Sequence, residues 1–264
     1  MYKLDAYTLK WIAIIGMFLN HMVISWWDIL PLGLKFPLYA VGGLTFPIMA
    51  YFVVEGYKNT SNLKKYIFRL FIIGVISMPF HILALNVPLV GGNPMFYPWL
   101  NIMFTIILSL FVLIIYDKIK YRVLFWIIYI ILIVPISLIF FEWYFVGVTT
   151  VLLFYIIPNE NVRRIVPPVF SGLWWLVFSL LPRELPQELI SEGITPLIAN
   201  TDFITVMKTF CIGCFLALVL LKNYNGERGK KMKWLFYAFY PIHFAFLAIV
   251  ALVLGLVNIN IFMN

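Results

Sequence analysis

Charge is what this sequence has least of. Asp, Glu, Lys and Arg make up 11% of its 264 residues, against 64% hydrophobic and 19% aromatic. With a mean hydropathy of +1.00, that composition excludes a water-soluble globular domain of this size. Long polar stretches are missing too: the longest break between apolar runs, Pro182 to Asp202, is about twenty residues, too short for a second domain. The two cysteines, Cys211 and Cys214, form one C-x-x-C pair inside an apolar run. With no second pair to complete a zinc site, close packing in a membrane helix is expected, and redox chemistry is the lesser alternative. Gly-rich phosphate loops, soluble-enzyme motifs and the inverted repeats of many transporters are absent as well.

What is present is apolar length. Nine runs approach the roughly 20 helical residues that span a bilayer core: 7–27, 36–56, 65–85, 98–116, 122–140, 143–157, 164–181, 204–222 and 233–257. The expectation is an all-α, polytopic transmembrane bundle of about nine spans, eight to ten allowing for the short sixth and seventh, in one domain over 1–264. The first run ends in Ser25-Trp26-Trp27, an interfacial anchor with no small-residue cleavage site, so it reads as a retained span rather than a signal peptide.

Loop charges orient the bundle. Taking alternate loops, one side collects Lys3, Lys10, Lys58, Lys64, Lys65, Arg69, Lys118, Lys120, Arg122, Arg163, Arg164, Lys222, Arg228, Lys230, Lys231 and Lys233. The other side has only Lys35 and Arg183, with Lys208 left inside a span. The positive-inside rule puts the first side and the N-terminus in the cytoplasm, in a cell-membrane protein of multiple passes. Most of the net charge of +8 is then a surface facing anionic lipid headgroups, with holding an anionic ligand as a second use. The outer stretch Pro186–Asp202 carries Glu188, Glu192 and Asp202 among Leu189, Ile190 and Leu197, the spacing of an interfacial turn of helix or a lid.

A few polar residues within the spans need a reason, because burying them in hydrocarbon costs several kcal/mol without a partner or a polar cavity. Asn20 and His21 sit side by side in the first run. His243, just after Tyr240 and Pro241 in the last run, falls at a depth that lets the two imidazoles share a layer. Glu55 and Arg69 lie at matching depth on consecutive antiparallel runs, so an ion pair is expected, or an anion site at Arg69 with Glu55 in support. Asn101 and His81 are placed near the outer interface, where water satisfies them. The stretch from Lys222 to Lys231, with Asn225, Gly226, Arg228 and Gly229, reads as a tight basic turn with exposed backbone donors, suited to a phosphate-bearing ligand.

Taken in order along the chain, these motifs resemble the TraX family of membrane proteins, named for a conjugative pilin N-acetylase and more distantly similar to membrane acyltransferases of the acyltransferase-3 type. The resemblance is carried by Leu9-Lys10-Trp11-Ile12-Ala13 leading to His21, by Phe46-Pro47-Ile48 with Val54-Glu55-Gly56-Tyr57, and by Lys58 to Arg69. It continues through Ser77 and Pro79, Asn101 to Thr105, Tyr144 to Val148, Tyr224-Asn225-Gly226 with Arg228-Gly229, and Phe239-Tyr240-Pro241 with His243. One departure stands out: Asn20 occupies the place of the family's usual Asp beside the first-helix histidine.

The resemblance implies acetyl transfer from acetyl-CoA, the acyl donor, to an amine such as the N-terminus of a processed pilin-like peptide. In that reading His21 is the general base, Asn20 orients it or donates to the oxyanion, and His243 and Tyr240 complete the polar core. Arg69, Lys64, Lys65, Asn225 and Arg228 hold the coenzyme, with Glu55 and Asn101 in support. Neither a metal nor a nucleic-acid partner is expected. A glycan or lipid hydroxyl is an alternative acceptor; a transporter using His21, Glu55, Arg69 and His243, or a noncatalytic assembly subunit, are alternative classes. Oligomeric state is not legible.

Overall fold

The computed structural model describes residues 3–86, 89–90, 93–94, 100–180, 201–231 and 233–256. Helix α1 (Ala6–Ser25) starts at Asp5, whose carboxylate accepts the Thr8 amide at 2.8 Å and so satisfies one donor that a helix start leaves orphaned. Hydrogen bonds from Thr8 hold the Asp5 carboxyl below its usual range. Helices α2 (Leu32–Gly42) and α3 (Thr45–Asn59) form one apolar run, interrupted only at Gly43 and Leu44. Asn62 caps α4 (Leu63–His81) by accepting the Lys65 amide, and α4 runs into a π-helical turn, Ile82–Asn86. A minimal antiparallel pair follows, β1 (Leu89–Val90) with β2 (Asn93–Pro94).

Beyond it lie α5 (Ile102–Lys118), α6 (Arg122–Ile128) and α7 (Val134–Phe140). The last two are joined through a π-helical stretch, Tyr129–Ile133. Its cause is Pro135, which has no N–H to donate and whose ring crowds the carbonyl one turn earlier, so the backbone widens there. The remaining helices are α8 (Tyr144–Ile156), the short α9 (Glu160–Arg163), α10 (Val166–Leu180), α11 (Thr201–Lys208), α12 (Phe210–Lys222) and α13 (Lys233–Val253).

Each of the nine expected runs is mainly helical over its described residues. Among the described residues, however, only five stretches are both long and apolar enough to cross a membrane: Ala6–Ser25, Leu32–Asn59, Leu63–Leu85, Ile204–Lys222 and Trp234–Val253. The others are shorter; the 13 residues of α8 rise about 20 Å, against a core of about 30 Å. The interfacial turn or lid expected over Pro186–Asp202 lies, up to residue 200, outside the described residues.

Helix α1 packs against α2, α3 and α13, while α4 lies between α13 and α5. On the far side α8 contacts α3, α5 and α10, and α12 contacts α10, α2 and α3. The core between them is apolar and closed: Leu9, Ile48, Leu110, Phe154, Phe244 and Leu247 have no exposed surface. The outward faces are equally apolar, with Phe68, Ile130, Ile131, Ile242 and Ile249 all more than half exposed. A face of that size is soluble only against lipid. Because lipid tails are as apolar as these side chains, the helices are held by close packing rather than by exclusion from water. The molecule is a helical membrane protein.

Candidate active site

The site is built along one stripe of α1. Tyr7, Lys10, Ile14, Met17 and His21 recur every three or four residues, the spacing of one helix face, and all five line two adjoining cavities. The inner cavity, about 70 Å³, is bounded by Asn20, His21, Phe46, Glu142, Trp143 and Tyr240. The outer one, about 580 Å³, is within the usual range for small-molecule sites. Met49, Met103, Ile106, Phe236 and Tyr240 line both and mark where they meet.

His21 and His243 are in direct contact. His21 Nδ1 lies 3.0 Å from His243 Nε2, and both side chains are buried. His243 Nδ1 lies 3.1 Å from the Phe239 carbonyl one turn back on α13. A carbonyl only accepts, so His243 carries its proton on Nδ1 and presents Nε2 as an acceptor. His21 Nδ1 must then be the donor, and its Nε2 keeps a lone pair. That nitrogen faces Glu142, with Nε2 3.9 Å from Oε1. His81 approaches the other carboxylate oxygen, its Nε2 3.7 Å from Oε2. Phe244 packs between the imidazoles, stacked on His21 and edge-on to His81.

Two buried donors at the inner cavity find no acceptor among the described residues: Asn20 Nδ2 and the Tyr240 hydroxyl. Such groups cost about 1–3 kcal/mol when left unpaired, and here both belong to residues lining the space beside His21. Asn20 has room because Gly42 has no side chain: a Cβ there falls 2.3 Å from Asn20 Cβ. Glu142 is set by an unusual corner. Trp143 and Tyr144 both have positive φ, 65° and 47°, a conformation that costs a non-glycine residue on the order of 1–3 kcal/mol. The corner is pinned from three sides. Glu142 N donates to Leu100 O, the Thr105 hydroxyl donates to Glu142 O, and Trp143 stacks on Phe46 with ring centroids 4.3 Å apart.

The outer cavity is cationic and aromatic. Lys10, Arg69, Arg228 and Lys230 line it with Phe52, Tyr66 and Tyr237. Arg228 and Lys230 are carried by a turn in which Gly226 and Gly229 adopt φ of 85° and 65°, conformations that favour glycine. The N-terminal segment straps this turn in place: Leu4 exchanges backbone hydrogen bonds with Asn223 and Asn225, and Ala6 N donates to Glu227 O. A second brace is the charged knot at α9. Glu160 pairs with Arg163 and Arg164 and accepts from the Tyr51 hydroxyl, and Arg164 donates to Tyr224 O. Burial alone raises the Glu160 carboxyl, but the Tyr51 and Arg164 hydrogen bonds and both arginine charges outweigh it and leave the group below its ordinary range.

This geometry coincides with a family assignment. The family model described as TraX protein matches residues 5–251. The chain belongs to the TraX family. It is also 26% identical over 264 residues to the "Probable fimbrial assembly protein FimC, serogroup H1" of Dichelobacter nodosus, covering 92% of this chain and 94% of that one. No solved structure matches.

Within this TraX chain the expected site residues separate into three groups. Asn20, His21, Tyr240 and His243 come together at the inner cavity, and Glu55, Arg69 and Arg228 at the outer one. Lys64 and Lys65 do not line it: they are exposed in the first turn of α4, off the stripe Tyr66, Arg69, Leu70 and Ile73 that does. Asn225 shapes the turn instead, its side chain bonding Glu227. The expected Glu55–Arg69 pair does not form. Glu55 reaches Arg163 at 3.4 Å, and Arg69 has no carboxylate partner among the described residues, its Nε making no hydrogen bond within the chain. Asn101 and His81 are not at a wet interface but buried. Asn101 caps α5 and donates to Gly74 O at 2.9 Å, so its role is structural. Glu142 was missed altogether. Its signal was an acid isolated in the aromatic run Phe140-Phe141-Glu142-Trp143-Tyr144.

Proposed function

We propose that this TraX protein is a multi-pass cell-membrane acetyltransferase that moves an acetyl group from acetyl-CoA to an amine, with its cation-rich end in the cytoplasm. The observation that carries the reading is the continuous face of α1 from Lys10 in the cationic cavity to His21 at the inner one. The rise between them is about 16 Å. A donor held by its phosphates at the mouth needs an extended arm to reach the imidazole, and a pantetheine thioester supplies one. Arg69, Arg228, Lys10 and Lys230 match the phosphates, and the surrounding aromatic rings offer stacking surface to a base.

At the inner cavity His21 Nε2 takes the amine proton as the new N–C bond forms. The oxyanion is met by the unpaired donors of Asn20 and Tyr240. The C–S bond then breaks with its electron pair on sulfur, and His21 returns the proton to the thiolate. A positioned base contributes about 10²–10⁴-fold, and an oxyanion donor about 10²–10³-fold. His243 fixes the productive tautomer of His21 and reacts with nothing itself. The fimbrial-assembly name of the Dichelobacter relative supports a setting in fimbrial or pilus assembly, and in that setting we take a processed pilin-like peptide as the acceptor.

The test uses purified protein in nanodiscs, acetyl-labelled acetyl-CoA, and membrane extract from a strain lacking the gene. Label that appears in a peptide amide and resists hydroxylamine supports the proposal. Hydroxylamine-labile label on a glycan or lipid would mark an ester-forming enzyme, and no transfer by folded protein would favour the noncatalytic assembly role.

A further inference from the structure

We propose that Glu142 is the positioning carboxylate of this site, aimed at His21 by the strained Trp143–Tyr144 corner and held from behind by His81. The inference rests on the acyl-transfer reading above. It starts from the geometry: one carboxylate bridges two buried imidazoles, 3.9 Å from His21 Nε2 and 3.7 Å from His81 Nε2. Both distances exceed a direct hydrogen bond: the unprotonated Nε2 of His21 has no proton to give a carboxylate, so the pair attracts only once that nitrogen is protonated.

Three independent features point the same way. The residue before His21 is a neutral amide, so no acid on α1 balances the imidazole. Two consecutive non-glycine residues sit in left-handed backbone immediately after Glu142, and strain of that kind persists only where its surroundings impose it. Those surroundings are specific: Gly147 leaves room for Trp143, since a Cβ there falls 2.9 Å from Trp143 Cβ and 3.0 Å from Thr105. The buried Thr105 hydroxyl in turn holds the Glu142 carbonyl. Finally, Glu142 Oε2 is buried and makes no hydrogen bond among the described residues, leaving His81 as its charged neighbour.

The role follows from the charge balance. When His21 Nε2 accepts the amine proton, the ring becomes an imidazolium in a site walled by Phe46, Trp143 and Phe244. Its titratable neighbours are His243 and Tyr240 from α13, His81 from α4, and Glu142 from the corner. Among the described residues only Glu142 supplies a negative charge there. It holds the imidazolium until the proton passes to the departing thiolate. His81, closing on the far oxygen, keeps the carboxylate from turning away.

The test is the pH dependence of kcat and kcat/KM for acetyl transfer by wild type, Glu142→Gln, Glu142→Asp and His81→Gln. The expected result for Glu142→Gln is a kcat lower by about tenfold or more, an unchanged KM for acetyl-CoA, and an acid limb of kcat/KM moved to lower pH by roughly one unit or more. Glu142→Asp, which keeps the charge, recovers the limb and part of the rate, and His81→Gln lowers kcat less. A lower rate with an unmoved limb and no rescue by Asp would reduce Glu142 to a structural role and overturn the inference. So would Glu142→Gln behaving as wild type. If wild type transfers nothing, the acyl-transfer reading fails first and takes this inference with it.

Discussion

Substituting alanine for glycine at Gly213 and at Gly33 is the same chemical change with opposite predicted outcomes. Gly213 lies where α12 crosses the junction of α2 and α3, and a Cβ there falls 2.0 Å from Ala40 O and 2.7 Å from Leu44 N. The neighbours are backbone, so no side chain can swing aside. To bring 2.0 Å to an ordinary contact of 3.4 Å, α12 has to move by about 1.4 Å. Gaps of 0.5–1 Å already forfeit a quarter to a half of a dispersion contact. The contacts of Cys214, Ala217 and Leu221, all fully buried on α12, open together. The cost should reach the upper end of overpacking, about 3 kcal/mol, or roughly 6–12 °C in Tm for a protein of this size. At Gly33, near the start of α2, nothing lies within 4 Å of a Cβ, and alanine should stabilise by up to about 1 kcal/mol. Unfolding in detergent, followed by tryptophan fluorescence, measures both. A Gly213→Ala protein as stable as wild type, or a Gly33→Ala protein as damaged as Gly213→Ala, would refute the packing argument.

Other outcomes follow from the site. Arg69→Gln should raise the KM for acetyl-CoA about tenfold or more, since a charge-assisted bond contributes about 1.5–3 kcal/mol; the exposed Arg228 should matter less, and Lys64→Gln or Lys65→Gln should stay within about twofold. His243→Gln, whose amide oxygen still accepts from His21 Nδ1, should keep more activity than His243→Phe; equal losses would remove the tautomer argument. Because the folded Glu160 carboxyl lies below its ordinary value of 4.5, it contributes stability above that pH and loses it as pH falls through the lower, folded value. Tm measured across this acid window should drop more steeply in wild type than in Glu160→Gln, and parallel curves would count against the knot around Glu160 as a brace.

How much of this was legible depends on which physical quantity each residue tests. Apolar length places a helix along the chain, and each of the nine runs is mainly helical over its described residues. Depth along a helix follows from a rise of 1.5 Å per residue, which is why His21 and His243 were expected in one layer and meet there. The two glycines of the Asn223–Lys231 turn read correctly because positive φ is a local property. Rotation and neighbours are not local. Lys64 and Arg69 are both basic residues on α4, yet only Arg69 falls on the cavity stripe. Glu55 found Arg163 rather than Arg69 because the fold brings α9 beside the end of α3, a contact between residues 108 apart. Asn101 and His81 looked wet from their depth, but α4, α5 and α13 close around them. Glu142 needed a corner whose backbone no propensity predicts, which fits the general rule that sequence reasoning fails where strain serves a site.

The most direct measurement of the central claim is coenzyme A thiol release in nanodiscs, with saturating acceptor, by wild type and His21→Ala. The account predicts a kcat at least about 100-fold lower for His21→Ala, with the KM for acetyl-CoA unchanged, because the phosphates are held at the far end of the cavity. Equal turnover by the two proteins would contradict it.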